Sequence, residues 1–177
     1  DELHRMMVLR QRVFVVEQTG AVRIVRDGVS LPRPFLDIRG EVKLSSEPGL
    51  LSIAFAPDYA ESGLFYVAIT PSAPDDFFSP GLQVNHDQVL EYRRSDDDAD
   101  RASSSPLRKL IDVPSSLSTL GNIHNANTVR FGPDGRLYVC NNGGRWPTDV
   151  PSTATSGRAE AGAGNGPAAM ALRDAQG

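Results

Sequence analysis

His124 is the side chain in this sequence best suited to moving a proton. Its neighbours in Asn122-Ile-His-Asn-Ala-Asn-Thr128 are mostly short and polar, so the loop can approach a ligand closely. An imidazole with a pKa near neutrality can take a proton from a substrate hydroxyl at physiological pH. The other histidines are less promising: His4 is close to the start and His86 lies in a proline-rich loop, and both are expected to be solvated. Cys140 is the only cysteine, which excludes an internal disulfide and a cysteine-based metal cluster. Lying in an apolar strand pattern, it is expected to be buried. Asp96-Asp-Asp-Ala-Asp100 starts like a calcium loop, but Arg101 and Leu107 stand where glycine and a bidentate glutamate belong. It reads as a solvated hairpin tip. Gly162-Ala-Gly-Asn-Gly166 fails as a dinucleotide fingerprint, because Pro167 follows and no strand is expected before it.

His124 must be carried by a strand pair. Residues 128–131 and 136–140 are apolar runs on either side of Gly132-Pro-Asp-Gly135. There proline presets φ and glycine accepts a positive one, so the stretch reads as a hairpin. It brings His124 and the glycine-rich turn at 141–144 to one end of two paired strands. Comparable runs recur upstream, at 12–17 with 21–26 across Gln18-Thr-Gly20, then at 32–38, 51–56, 64–70, 88–93 and 107–113. The recurring unit is four strands with connections of variable length. Units that cannot bury their own faces are what a β-propeller stacks around a channel. The fold class is therefore all-β, with two full blades and the first half of a third. A single β-sandwich is the plainer alternative. A closed propeller needs ~4 to 8 blades, so an unpaired edge and an open apolar face are expected, with aggregation or partial order and no turnover for these residues alone. Residues 1–146 are assigned to the partial propeller. Residues 147–177, rich in Ala, Gly and Pro, are assigned to an irregular tail or interblade loop, with one helical turn expected at 168–172.

The totals narrow the function classes. The 177 residues carry a net charge of −4 with no basic cluster, which argues against a nucleic-acid surface. No apolar run approaches the ~18 residues of a membrane span. The charged opening Asp-Glu-Leu-His-Arg is no signal peptide, and because the sequence starts without Met, secretion stays open.

Four segments together resemble the glucose/sorbosone dehydrogenase family, the soluble quinoprotein sugar dehydrogenases. They are Val13-Phe-Val-Val-Glu-Gln-Thr-Gly20 with its continuation to Gly28, Pro34-Phe-Leu-Asp-Ile38, Glu47-Pro-Gly-Leu-Leu-Ser-Ile-Ala-Phe-Ala56 with its continuation to Ala60, and His124-Asn125 through Phe131-Gly-Pro-Asp-Gly135 to Val139. They occur in the family's order. The resemblance implies a six-bladed propeller, pyrroloquinoline quinone (PQQ) as redox cofactor and Ca2+ at the quinone, with the calcium ligands outside this chain. It implies a sugar substrate, a separate electron acceptor and a secreted or periplasmic site of action. By position, His124 matches the base that takes the proton of the sugar's anomeric hydroxyl. Glu47 sits where members line the cofactor pocket with a polar residue, often glutamine. Arg145 matches a cofactor-binding arginine if one residue is deleted in the preceding strand. The cofactor is a tricarboxylate, which suits a guanidinium.

The sequence also departs from the family. The glycine pair usual after His-Asn is Ala126-Asn127, and the Gly-Asp-Gly-Gly turn is Asn141-Asn-Gly-Gly144. Some active members have aspartate just before the histidine; Ile123 stands here, and the imidazole loses that orienting partner. Two readings follow: part of a quinone-dependent aldose dehydrogenase, or a non-catalytic extracellular propeller module that binds a protein or glycan. The sequence leaves the sugar, the acceptor and the oligomeric state open.

Overall fold

The computed structural model describes residues 12–44, 47–72, 85–115, 126–141, 160–161 and 168–172. β1 (Arg12–Glu17) and β2 (Ala21–Arg26) form the expected antiparallel hairpin, with Val13 opposite Val25 and Val15 opposite Arg23. The chain then turns at Asp27-Gly28, both at positive φ (52° and 77°), into β3 (Val29–Ser30). Two successive left-handed residues are the chemistry of a tight hairpin whose twist matches its strands. β4 (Leu36–Asp37) pairs with the other end of β2 and completes the first sheet.

The second sheet is an antiparallel meander of β5 (Leu50–Phe55), β6 (Leu64–Ile69), β7 (Asn85–Arg93) and β8 (Arg108–Ser115). Between its first two strands the expected turn contains a single helical turn, α1 (Tyr59–Ser62), stopped by Gly63 at φ 69°. The third sheet begins with the predicted hairpin of β9 (Ala126–Phe131) and β10 (Leu137–Asn141). It also holds β11 (Glu160–Ala161) and β12 (Ala168–Leu172), in the order β11-β12-β10-β9. The helical turn expected at 168–172 is therefore corrected to a strand. Five residues are too few to make an isolated helix worth nucleating, whereas the open edge of β10 offers a complete set of backbone partners.

The sheets stack as propeller blades, as the strand patterning suggested. β6 shows why. Phe65, Val67 and Ile69 pack with Val22, Ile24, Phe35 and Leu36 of the first sheet. Tyr66 and Ala68 instead join Val129, Leu137 and Val139 of the third. A strand buried on both faces must be apolar throughout, and Leu64-Phe-Tyr-Val-Ala-Ile69 is. The same alternation corrects the expectation for Cys140. Leu137 and Val139 turn into the second core, so Cys140, one position on, faces out and is exposed.

Among the described glycines, Gly49 leaves the least room for a side chain. It has φ +153°, and a Cβ placed there would lie 2.3 Å from the carbonyl oxygen of Gln18. Gly49→Ala is expected to cost about 2–4 kcal/mol through strain and displacement of the β1–β2 turn. Urea unfolding of the full-length protein checks this; a change below about 0.5 kcal/mol would contradict the packing.

Candidate functional site

The innermost strands of the second and third sheets are β5 and β9, and they run the same way. The Val129 amide donates to Ser52 Oγ at 3.2 Å. Further along, the Tyr66 ring, opposite Ala54 in register, meets the Phe131 ring at 5.4 Å. Both strands therefore start at one end of the stack. At that end β1 also finishes, because the Leu50 amide donates to the Gln18 carbonyl at 2.9 Å.

Glu47 lies there, exposed, just before β5. Its turn is gripped from two sides. Gln18 Nε2 donates to the Pro48 carbonyl at 3.1 Å, and the Thr70 amide donates to the Gly49 carbonyl at 2.9 Å. The Lys43 amide donates to the Thr70 carbonyl at 2.9 Å, so residues 41–43 close over the same end. His124 and Arg145 lie outside the described residues. β9 starts at Ala126, two positions after His124 in sequence, and β10 ends at Asn141, four before Arg145.

Three polar clusters were not legible in the sequence. Glu91 is buried on β7, and Arg108 of β8 clasps it with two bonds of 2.9 Å. Beside it, the Tyr66 phenol is pushed far up, first by burial and then by the Glu91 charge. A carboxylate so engaged is a structural anchor. His86, expected in solvent, instead bonds Asp112 through Nδ1 at 2.8 Å, and Gln88 and Lys109 converge on the same carboxylate. Burial raises the Asp112 pKa, but the Lys109 and His86 bonds outweigh it and hold the group below the ordinary carboxylate value. Asp87 is almost fully buried and takes a long bond of 3.4 Å from the Thr70 hydroxyl.

Asp100, in the acidic run that started like a calcium loop, is held between two arginines. Arg26 bonds both its oxygens at 2.7 Å and Arg12 reaches it at 3.3 Å, which ties the β7–β8 connection to the first sheet. Among the described residues no three His, Cys, Asp or Glu side chains come together to hold a metal ion. Among the same residues no helix is long and apolar enough to cross a membrane.

Comparison with known proteins agrees with this fold. The sequence profile of the Glucose / Sorbosone dehydrogenase family matches residues 2–159. Hedgehog-interacting protein of Homo sapiens is 32% identical over 137 residues, covering 73% of this chain and 18% of that protein. Its Mus musculus counterpart is 32% identical over 136 residues, with 72% and 18% covered. The apo-form of the soluble aldose sugar dehydrogenase of Escherichia coli superposes with a TM-score of 0.56 at 25% identity, covering 72% of this chain and 33% of that one. The PQQ-bound aldose sugar dehydrogenase of Streptomyces coelicolor gives 0.55 at 22% identity, with 73% and 34% covered, and shows the shared fold. The chain thus spans 18% of the length of the curated relatives and about a third of these enzymes.

Proposed function

The chain belongs to the glucose/sorbosone dehydrogenase family, and on that premise we propose that it is part of a quinone-dependent aldose dehydrogenase acting on a sugar hydroxyl. The observation that carries this is the common start of β5 and β9. Glu47 stands just before β5, and His124 stands two positions before β9 in sequence. The described residues there suit a polar ligand: Glu47 and Glu41 are exposed and Lys43 is half-buried.

His124 takes the proton of the anomeric hydroxyl, which raises electron density on the carbon that releases hydride. Arg145 holds a ligand carboxylate in a two-bond clamp. Glu47 offers an acceptor at the pocket wall. PQQ, if bound with Ca2+, would supply the hydride-accepting chemistry, with a separate electron acceptor completing the redox balance. Action outside the cytoplasm, secreted or periplasmic, belongs to the same reading.

A second reading is a non-catalytic extracellular propeller module that binds a protein or glycan. It is favoured by the 32% identity to Hedgehog-interacting protein, against 22–25% for the dehydrogenases. Ile123, Ala126, Asn127 and Asn142 point the same way. Titrating full-length protein with PQQ and Ca2+, then assaying sugar-dependent dye reduction, separates the two. Turnover supports the enzyme; the absence of quinone binding favours the module.

The charge at position 47 makes a further expectation. The Glu47 carboxylate offers an acceptor, but its charge repels a tricarboxylate. Glu47→Gln, which keeps the acceptor and drops the charge, should therefore tighten quinone binding several-fold, about 1 kcal/mol, as for unit charges about 4 Å apart at water's dielectric. Calorimetric titration reads this, and weaker binding by the glutamine variant would show that the carboxylate itself is required.

A further inference from the structure

Asp87 is a buried acid that the proposed mechanism does not use. It is 1% exposed, at the head of β7, on the face turned towards the third sheet. The next residue on that face is Val89, and its neighbour across β6 is Ala68; both belong to the apolar second core. Burying a carboxylate there costs free energy that an apolar residue would not, so packing alone does not account for it.

Its contact with Thr70 suggests what it does. Thr70 is fully buried, and each of its polar groups goes to a different segment. The amide donates to the Gly49 carbonyl at 2.9 Å, the carbonyl accepts from the Lys43 amide at 2.9 Å, and Oγ1 donates to Asp87 Oδ1 at 3.4 Å. Thr70 is therefore a junction between the Glu47 turn, the 41–43 segment and the head of β7. On the far side, Gly49 is pressed against Gln18, so the turn has no slack.

We propose that Asp87 is a positioning residue: acting through Thr70, it fixes the Gly49 turn and thereby the direction in which Glu47 meets a ligand at the heads of the inner strands. This rests on the quinone-dependent reading of the site. Oδ1 accepts from Thr70, and an amide oxygen in its place can accept the same bond, so the Thr70 contact itself does not require the charge.

The test uses full-length protein with Asp87→Ala, Asp87→Asn and Thr70→Val, titrated calorimetrically with PQQ in the presence of Ca2+. Hydrogen exchange at the Leu50 and Thr70 amides is followed in parallel. Asp87→Ala and Thr70→Val should weaken quinone binding roughly tenfold, as loss of one positioning hydrogen bond would, and speed exchange at both amides. Asp87→Asn should stay within about threefold of wild type and keep the amides protected. Quinone affinity and exchange unchanged in Asp87→Ala would overturn the proposal, and so would an Asp87→Asn variant as impaired as the alanine. If wild-type protein takes up no quinone, the dehydrogenase reading fails on its own. The positioning claim is then decided by the exchange data, where faster exchange in Asp87→Ala alone upholds it and unchanged exchange overturns it.

Discussion

Full-length protein carrying His124→Ala, loaded with PQQ and Ca2+, is expected to lose about 10²–10⁴-fold in kcat/KM for sugar-dependent dye reduction, the usual worth of a positioned general base. Quinone affinity should change little, because the proposed role of the imidazole is at the sugar hydroxyl and Arg145 is the group assigned to the ligand carboxylate. The loss should fall on kcat, since proton transfer contributes in the transition state and little to ground-state binding. A pH profile sharpens this. The wild-type rate should fall on the acid side as the imidazole becomes protonated, and the alanine variant should lack that limb. Activity that survives the substitution would remove His124 from the mechanism.

That prediction depends on a residue read from the sequence, and how far the sequence could be read differs between scaffold and site. The strands were legible because their apolar runs end at turn residues that accept a positive φ, as at Gly20 (φ +106°) and Gly135 (φ +75°). Stacking was legible in β6, where apolar residues on both faces require a sheet on each side. β12 was missed because Ala168-Ala-Met-Ala-Leu172 has helix-forming composition, and what makes it a strand is β10, far away in sequence. Cys140 was misjudged because an apolar run does not declare which of two alternating faces is covered.

The polar clusters were invisible for a related reason. Asp87 and Glu91 are unremarkable acids until the register sets Thr70 and Arg108 beside them, each 17 residues away in sequence. A signal was present in Glu91, a charge inside the apolar run Val89-Leu-Glu-Tyr92, but only its partner explains it. Glu47 had no local signal and was found by resemblance. The structure places it, exposed, where the inner strands begin.

Phe65→Ala is expected to be the most damaging single substitution in the scaffold. The ring is fully buried between the first two sheets, 5.0 Å from Phe35 and 6.0 Å from Phe55 between centroids. It stacks on Tyr92 at 5.7 Å with an interplanar angle of 18°. Removing a buried aromatic side chain costs about 3–5 kcal/mol in lost transfer free energy and cavity. Lost ring pairs add to the penalty, at about 0.5–1.5 kcal/mol each beyond area. Against a typical domain stability of about 5–15 kcal/mol, a cost of that size leaves little margin. Phe65→Leu keeps more of the volume and should cost less. Val13→Ala, at a position 57% exposed on β1, should stay within about 0.5 kcal/mol. Urea midpoints of the three variants in full-length protein test the ranking. If Phe65→Ala cost no more than Val13→Ala, the first two sheets would not be joined through this aromatic core. The mount for Glu47 depends on that junction, because its turn is gripped by Gln18 from the first sheet and Thr70 from the second.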